Sequence, residues 1–176
     1  MQTWLYTLFE KNMKQEEKSL LLQDLCARLP HHVRLKVWLK DGTTEEGFLD
    51  LEHNYGDVLR DAFYYNKIKD IKPYLRPISS MTEEEKKDLL KYVVGKKASK
   101  CFVVCDDGSI RDKNPDVQSV RSFEKVWINF IPSITSRHID WLNKNHFDHR
   151  GLIPKGLAIK VTDDNNPYKT KQLCKR

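Results

Sequence analysis

The hydrophobic spacing of the chain changes abruptly at Pro30, and this change constrains the fold more than any other feature. Before Pro30, apolar residues recur every three or four positions between Leu21 and Leu29, which is typical of one helical face. After it, apolar and polar residues alternate from Val33 to Lys40, as in a strand with one buried face. Because proline does not continue a helix, the sequence predicts a helix that ends at Pro30 and a half-buried strand directly after it.

Turn and strand patterns continue through the first half of the chain. Asp41 and Gly42 form a strong hairpin signal, and residues 47–51 alternate again as a return strand. Further strands are expected near residues 58–65 and 67–75, and an additional helical face at residues 4–9. Leading helices followed by several short strands are typical of a small bent β-barrel of the Sm or SH3 type, which is the fold expected for this half.

The second half is expected to be mixed α+β. Thr82 and Glu85 have the spacing of a capping box, so a helix should begin there and end at Gly95. Asp107 and Gly108 signal another hairpin turn. The remaining predicted elements are strands over 101–105 and 126–131, a helix with Ile139, Leu142 and His146, and a closing strand over 157–161 before a frayed polar tail.

Prolines and serines between residues 73 and 80 separate the two halves. They predict a domain over residues 1–78, with the helices and the barrel, and an α+β domain over residues 79–176 with a basic C-terminal tail. One continuous core across both halves is the alternative.

The composition favours a folded protein with a charged surface. Apolar residues make up 39% and charged residues 32% of the 176 residues, and the mean hydropathy is −0.66. No apolar run is long enough for a membrane span, and residues 1–14 lack the pattern of a signal peptide, so a bacterial cytoplasm is the expected location. Cys26, Cys101, Cys105 and Cys174 lack metal-binding spacing, and reduced, mostly buried thiols are expected.

The whole excess of positive charge lies in the second half. Residues 1–80 carry 12 lysines and arginines against 12 acids, whereas residues 81–176 carry 19 against 13, for a net charge of +6. A basic surface attracts phosphate-bearing partners from a distance, although many basic surfaces only confer solubility.

A short His-Phe-Asp-His-Arg sequence contains residue types that bind zinc. His146, Asp148 and His149 are the candidate ligands, with His138 or Cys174 as additional ones. Adjacent side chains in a helix or strand do not point at one ion, so no metal site is predicted. In the alternative interpretation, His146 caps the preceding helix and Asp148 orders the turn.

Arg150, Gly151, Lys155 and Gly156 suggest an anion site. Glycines let a backbone approach a ligand closely, and guanidinium and ammonium groups match phosphate oxygens. Neither a Walker loop nor GxGxxG is present, and the alternative is that both glycines only supply turns with positive φ.

Lys72, Tyr74 and Arg76 suggest a second binding surface. They alternate at the end of the strand predicted over 67–75, so two cations and an aromatic ring share one face. Such a face can stack a base and hold a phosphate. In the alternative, Tyr74 packs between the two halves and Arg76 pairs with an acid.

Catalytic signatures are not found in the sequence. GxSxG, HExxH, SxxK and kinase patterns are absent, and the paired acids lie at turns and tails. We therefore predict no catalytic residues and no cofactor, with an enzyme acting on nucleotides as the weaker alternative.

Three segments resemble a family of small, uncharacterised accessory proteins of phages and prophages of gut Bacteroidales bacteria. They are the strand-rich segment over 33–77, which ends in IKPYLRP, the helix start SMTEEE over 80–85, and HFDHRGLIPKGLAI over 146–159. Members of that family have a tyrosine-like residue where His149 stands here, which argues against histidine chemistry at this position. The resemblance implies a protein made inside an infected bacterium, where such proteins bind nucleic acid, host proteins or the nucleotide signals of bacterial immunity.

These features together predict a non-catalytic counter-defence protein, which sequesters a small anionic nucleotide or blocks a host immune factor. The alternative is a nucleic-acid-binding accessory protein that uses the basic second half. No membrane partner is expected, and a homo-oligomer is compatible with either function.

Overall fold

The computed structural model describes residues 14–49, 68–113 and 131–169, without the side chains of 131–134. In chain order, the described elements are α1 (Gln15–Arg28), β1 (Arg34–Leu39), β2 (Thr44–Phe48), β3 (Ile68–Leu75), α2 (Glu83–Val94), β4 (Phe102–Val104), β5 (Ile110–Asp112), α3 (Ile131–Lys144) and β6 (Ile159–Lys160). The fold is thus mixed α+β, with three α-helices and two small sheets in the described part of the chain. No helix within these ranges is long and apolar enough to cross a membrane.

The chain divides into two compact units. Unit 1 consists of Met1–Arg76 together with Arg150–Arg176, and unit 2 consists of Pro77–His149. The first boundary lies close to the predicted one at residue 78. The last 27 residues, however, belong to unit 1 and not to the second half, because β6 pairs with β3.

The larger sheet belongs to unit 1 and has the strand order β2-β1-β3-β6. β1 is antiparallel to both β2 and β3, whereas β6 lies parallel to β3. In the described residues this sheet is open, so the predicted Sm- or SH3-like barrel is not confirmed. The physical reason is that β3 takes a strand from the C-terminal region as its second neighbour. The strand predicted over 58–65 and the helix over 4–9 lie outside the described residues.

Two hairpins of the protein use the same turn chemistry. In the β1–β2 turn, Asp41 Oδ1 accepts hydrogen bonds from the backbone N–H and hydroxyl of Thr43, at 2.9 and 2.6 Å, and Gly42 has φ +90°. In the β4–β5 turn, Asp107 and Ser109 make the same two contacts at 2.9 and 2.6 Å. Both predicted Asp-Gly turns are confirmed. The glycine of each turn has a positive φ, which glycine adopts without steric cost.

The core of unit 1 lies between α1, one face of the sheet and the chain after Arg150. Leu21 and Leu25 of α1 are buried, and α1 ends before the 3₁₀ turn that contains Pro30, as predicted. Alternate residues of β1 are buried in the expected pattern. The other members of the core cluster are Val33, Leu35, Val37, Leu39, Ile68, Ile71, Leu75, Leu152, Leu157 and Ala158.

Unit 2 packs α2, α3 and the β4–β5 hairpin around its own core. The capping box of Thr82 and Glu85 is confirmed, with the backbone N–H of Glu85 donating to Thr82 Oγ1 at 3.2 Å. Trp141 and Phe147 stack with 5.8 Å between their ring centroids. The remaining buried members are Met81, Leu89, Leu90, Val93, Phe102, Val104 and Leu142.

Three local predictions for the second half need correction. α3 ends at Lys144, so His146 is not helical and adopts a left-handed backbone with φ 60°. Ile131 starts α3, and the rest of the predicted strand over 126–131 lies outside the described residues. The tail is not frayed in its described part, which ends at Lys169. Lys169 Nζ lies 2.8 Å from Asp163 Oδ1, and the side chains of an asparagine and a tyrosine donate hydrogen bonds to backbone carbonyls.

Candidate ligand-binding face

The surface of the unit 1 sheet opposite its core carries a dense set of aromatic and charged side chains. Because Leu35, Val37 and Leu39 point into the core, the residues between them project from the other side. The strand register extends this side across β2 and β3. We call this surface the outer face, and it consists of Arg34, Lys36, Trp38, Thr44, Glu46, Phe48, Asp70, Lys72 and Tyr74.

Trp38 supplies the aromatic ring of the outer face that two lysines approach. Its ring centroid lies 5.8 Å from Lys36 Nζ and 5.7 Å from Lys72 Nζ, and these lysines are register partners on β1 and β3. Both distances are near the limit of about 6 Å for a cation–π contact. The two ammonium groups therefore interact only weakly with the indole. The half-buried ring of Trp38 and the two cations lie next to each other on the outer face.

Acidic side chains on the outer face pair with its cations at long range. Glu46 lies 3.8 Å from Arg34 and 3.7 Å from Lys36, and Asp70 lies 3.7 Å from Lys72. Each of these side chains is about a third exposed, at 30 to 36%. Such solvent-exposed pairs contribute little to stability, so a stronger anion can replace the carboxylates without unfolding the sheet.

Tyr74 occupies a different position from the one predicted for a stacking residue. It is only 6% exposed, and its hydroxyl donates a 2.7 Å hydrogen bond to Glu46 Oε1. Burial, followed by the bond to Glu46, raises the pKa of Tyr74 to about 12. The buried Tyr74 therefore restrains the partly exposed Glu46 side chain, and its ring is not open for a base to stack on.

The other two residues of that predicted group also lie in unit 1. Lys72 is on the outer face beside Trp38. Arg76 follows β3, is half-buried and has an interaction partner within the protein. The structure thus brings Lys72 to an aromatic ring, but the ring is that of Trp38 and not that of Tyr74.

The predicted anion site around Arg150 contains a structural ion pair. Arg150 Nη1 lies 3.0 Å from Asp24 Oδ1, and Asp24 Oδ2 lies 2.7 Å from Arg28 Nε. The side chains of Asp24 and Arg28 are 0% exposed and that of Arg150 is 21% exposed. Arg150 therefore anchors the returning chain to α1.

The remaining residues of this predicted site form turns. Gly151 and Gly156 have φ of 71° and 70°, and the backbone N–H of Gly156 bonds to the carbonyl of Ile153 at 3.0 Å. Lys155 is exposed in the same turn. The positive φ agrees with the turn interpretation of both glycines.

The histidine-rich segment does not assemble a metal centre in the described residues. His149 Nε2 lies 2.9 Å from Asn143 Oδ1, and His146 and Asp148 are buried and have interaction partners within the protein. Across the described ranges no group of three His, Cys, Asp or Glu side chains is placed to hold a metal ion.

The cysteines differ from expectation. Cys26, Cys101 and Cys105 are free thiols, and Cys26 and Cys101 are exposed, so the prediction of mostly buried thiols is wrong for these two. Cys26 follows the buried Leu25, and successive side chains of a helix point about 100° apart. Cys174 lies outside the described residues.

Sequence reasoning missed the residues that make the outer face distinctive. Lys36 and Trp38 were identified only as the polar side of β1, and Asp70 was not identified. Glu46 was counted among the paired acids at turns and tails, but it lies within β2. The usable signal was the alternation of β1 with the Asp-Gly turn, which places β2 opposite β1. The pairing of β1 with β3 crosses a long connection and has no local signal in the sequence.

No protein-family model, curated protein or solved structure matches the chain.

Proposed function

We propose that this protein is a non-catalytic binding protein that sequesters a small anionic nucleotide on its outer face. The observation that carries this proposal is Trp38 with Lys36 and Lys72 at 5.8 and 5.7 Å from its ring centroid. A base stacks on an aromatic side chain, and ammonium groups attract its phosphate. On the outer face, the aromatic ring of Trp38 and the two lysines belong to neighbouring pairs of the β1–β3 register.

The charge of the outer face supports an anionic ligand. It carries the cations Arg34, Lys36 and Lys72 against the acids Glu46 and Asp70, so one positive charge is in excess. The long ion pairs allow the ammonium groups to turn towards a phosphate. The contacts bind and orient a ligand, and they supply no nucleophile paired with a base, which favours sequestration over turnover.

The biological setting is proposed from the sequence resemblance to phage and prophage accessory proteins. In a bacterial cytoplasm, such a protein would remove a nucleotide signal of immunity before its receptor binds it. Blocking a host immune factor by direct contact is the other form of this proposal.

Binding is tested by calorimetry and thermal shift with a panel of nucleoside monophosphates and cyclic nucleotides. We expect at least one nucleotide to raise the melting temperature, because a ligand that binds only the native state stabilises it. The double variant Lys36→Ala, Lys72→Ala should weaken binding at least about tenfold.

The matched control removes two exposed cations that do not belong to the residues of the outer face. Lys40→Ala with Lys69→Ala changes the net charge equally, and both residues are exposed near the same two strands. We expect the affinity to stay within about twofold of wild type. Equal loss in both double variants would show that only net charge matters, and no binding by any nucleotide would contradict the proposal.

The setting is tested by plaque assays on bacteria with a nucleotide-signalling defence. Expression of the wild-type protein should restore phage plating, and Trp38→Ala should not. Failure of the wild-type protein against every defence system tested would contradict a counter-defence role.

A second candidate function is nucleic-acid binding by unit 2. Lys96 and Lys97 follow α2, and Lys100 precedes β4, and all three are exposed. A run of exposed lysines attracts a phosphate backbone with strong salt dependence. Fluorescence anisotropy with a labelled single strand should show binding that weakens steeply between about 50 and 200 mM salt. Undetectable binding at the lower salt concentration would exclude this function.

A further inference from the structure

The residue beside Trp38 on β3 gives the outer face a means to read a base. Trp38 is the register partner of Asp70, so their side chains are cross-strand neighbours on one face. The Cβ atoms of such neighbours lie about 4.5–5.5 Å apart. A base stacked on the indole therefore presents an edge to the Asp70 carboxylate.

The Asp70 carboxylate is held in place and remains accessible. Its Oδ1 accepts a 2.8 Å hydrogen bond from the backbone N–H of Ile71, which restrains the orientation of the group. Its Oδ2 lies 3.7 Å from Lys72 Nζ, and the side chain is 34% exposed. One oxygen is thus fixed by the backbone, and the other has only a long contact with a lysine.

A carboxylate accepts hydrogen bonds and does not donate them when it is ionised. It therefore selects a base edge with adjacent N–H donors. Guanine presents N1–H and N2–H side by side, whereas adenine and cytosine present an amino group beside an acceptor nitrogen. Uracil presents one N–H between two carbonyl groups, which a carboxylate repels.

The cations lie at a suitable separation from this base-reading position. Lys36 and Lys72 form the register row next to Trp38 and Asp70, two residues away along the strands. Two residues of a strand span about 6.6 Å. A nucleotide can therefore place its base on one row and direct its phosphate to the next.

We infer that the outer face selects guanine nucleotides, with the base on Trp38, its N1–H and N2–H groups on Asp70, and its phosphate on Lys36 and Lys72. This inference rests on the proposed function and adds the class of base. Charge complementarity supports this occupant, because the donor edge of the base meets the acid and the phosphate meets the cations.

The experiment compares GMP, IMP, AMP, CMP and UMP by calorimetry on the full chain. GMP should bind at least about tenfold more tightly than AMP, since a good bidentate base contact gives discrimination of this order. IMP, which lacks the N2 amino group, should fall between them.

Asp70→Asn is the decisive variant. Asparagine keeps the Oδ1 acceptor for the Ile71 N–H, so the local fold has its bond, but it replaces the second acceptor by a donor. GMP affinity should fall to about the level of AMP, while AMP affinity changes less than about twofold. Asp70→Glu, which retains the acceptor charge, should keep more of the GMP preference, and melting temperatures check that both variants are folded.

The outcomes separate the two proposals. Equal affinity of the wild-type protein for all five nucleotides would overturn guanine selection and leave the proposed function standing. Binding of none of these five, and of none of the cyclic nucleotides of the panel, at millimolar concentration would overturn both. A GMP preference that survives Asp70→Asn unchanged would show that Asp70 does not read the base, and it would overturn this inference alone.

Discussion

The hydroxyl group of Tyr168 donates a 2.8 Å hydrogen bond to the backbone carbonyl of Tyr74. The same oxygen accepts a 3.2 Å hydrogen bond from the backbone N–H of Arg34. The β1–β3 ladder ends at the partner pair Leu35 and Pro73, so Tyr168 bridges the two strands just beyond the end of their pairing. Burial raises the pKa of the Tyr168 hydroxyl above its usual value, so the hydroxyl keeps its proton for this contact.

Removal of this hydroxyl should weaken unit 1. In Tyr168→Phe, the N–H of Arg34 and the carbonyl of Tyr74 both lose a partner, and the expected loss in the free energy of unfolding is about 1–3 kcal/mol. Urea denaturation measures this loss, and amide exchange should be faster at Arg34. Tyr92→Phe is the control, because Tyr92 is 45% exposed and bonds to Asp140 at the surface, and its effect should stay within about 0.5 kcal/mol. Equal effects of both variants would contradict the bridging role.

Asp24 should be among the most sensitive positions of unit 1. Its carboxylate contacts both Arg28 and Arg150, and it is fully buried. Asp24→Asn removes the charge that balances these guanidinium groups, and the expected loss is about 3–5 kcal/mol. Asp88→Asn at the exposed pair with Lys91 is the matched control, with an expected loss below about 1 kcal/mol. A similar loss in the free energy of unfolding in both variants would show that the buried ion pairs of Asp24 stabilise the protein no more than an exposed pair does.

The two Asp-Gly turns should differ in their tolerance of alanine. A Cβ atom on Gly108 would lie 3.1 Å from Ile78 Cγ2, whereas one on Gly42 would meet no atom within 4 Å. Both positions have positive φ, so each alanine is strained, and Gly108→Ala should lose more than about 1 kcal/mol through strain and contact together. Thermal unfolding of the two variants measures the difference. A larger loss in Gly42→Ala would show that contact with Ile78 is not limiting.

Unit 2 should lose stability in mild acid because of His138. Burial lowers the pKa of His138 below its usual value of 6.5, and a hydrogen bond to the backbone of Gly108 opposes this effect only in part. Below pH 6.5 the unfolded chain takes up a proton that the folded protein does not, so stability is full above that pH and falls as the pH drops towards the folded pKa. Urea midpoints between about pH 5 and 7.5 measure this slope. His138→Gln should flatten it, and an unchanged slope would assign the acid sensitivity to other groups.

Local elements of this protein were predictable because their causes lie within a few residues. The proline after α1, the capping box at Thr82 and the glycines at 42 and 108 act on their own neighbourhood, and each gives the expected element boundary. The return of β6 to β3 was not predictable, because it joins residues about 85 positions apart and depends on the summed packing of the core.

The candidate site was predictable only in its residue types. A cation–aromatic face on a strand was expected at Lys72, Tyr74 and Arg76, but alternation alone does not reveal which neighbouring strand supplies the ring. The register with β1 brings Trp38 to Lys72, and the hydrogen bond to Glu46 takes Tyr74 out of the surface. The sequence also does not show that Arg150 is engaged by a buried aspartate on α1.

Unit 1 is discontinuous in the sequence, so the ribosome synthesises all of unit 2 before it completes unit 1. All of unit 2 lies before Arg150 in the chain, whereas β6 comes at residues 159–160. During translation, unit 2 can therefore fold before β6 is available to pair with β3. An unpaired strand edge is a template for pairing with other chains, so the edge of β3 in the larger sheet is open to such pairing until β6 has been synthesised.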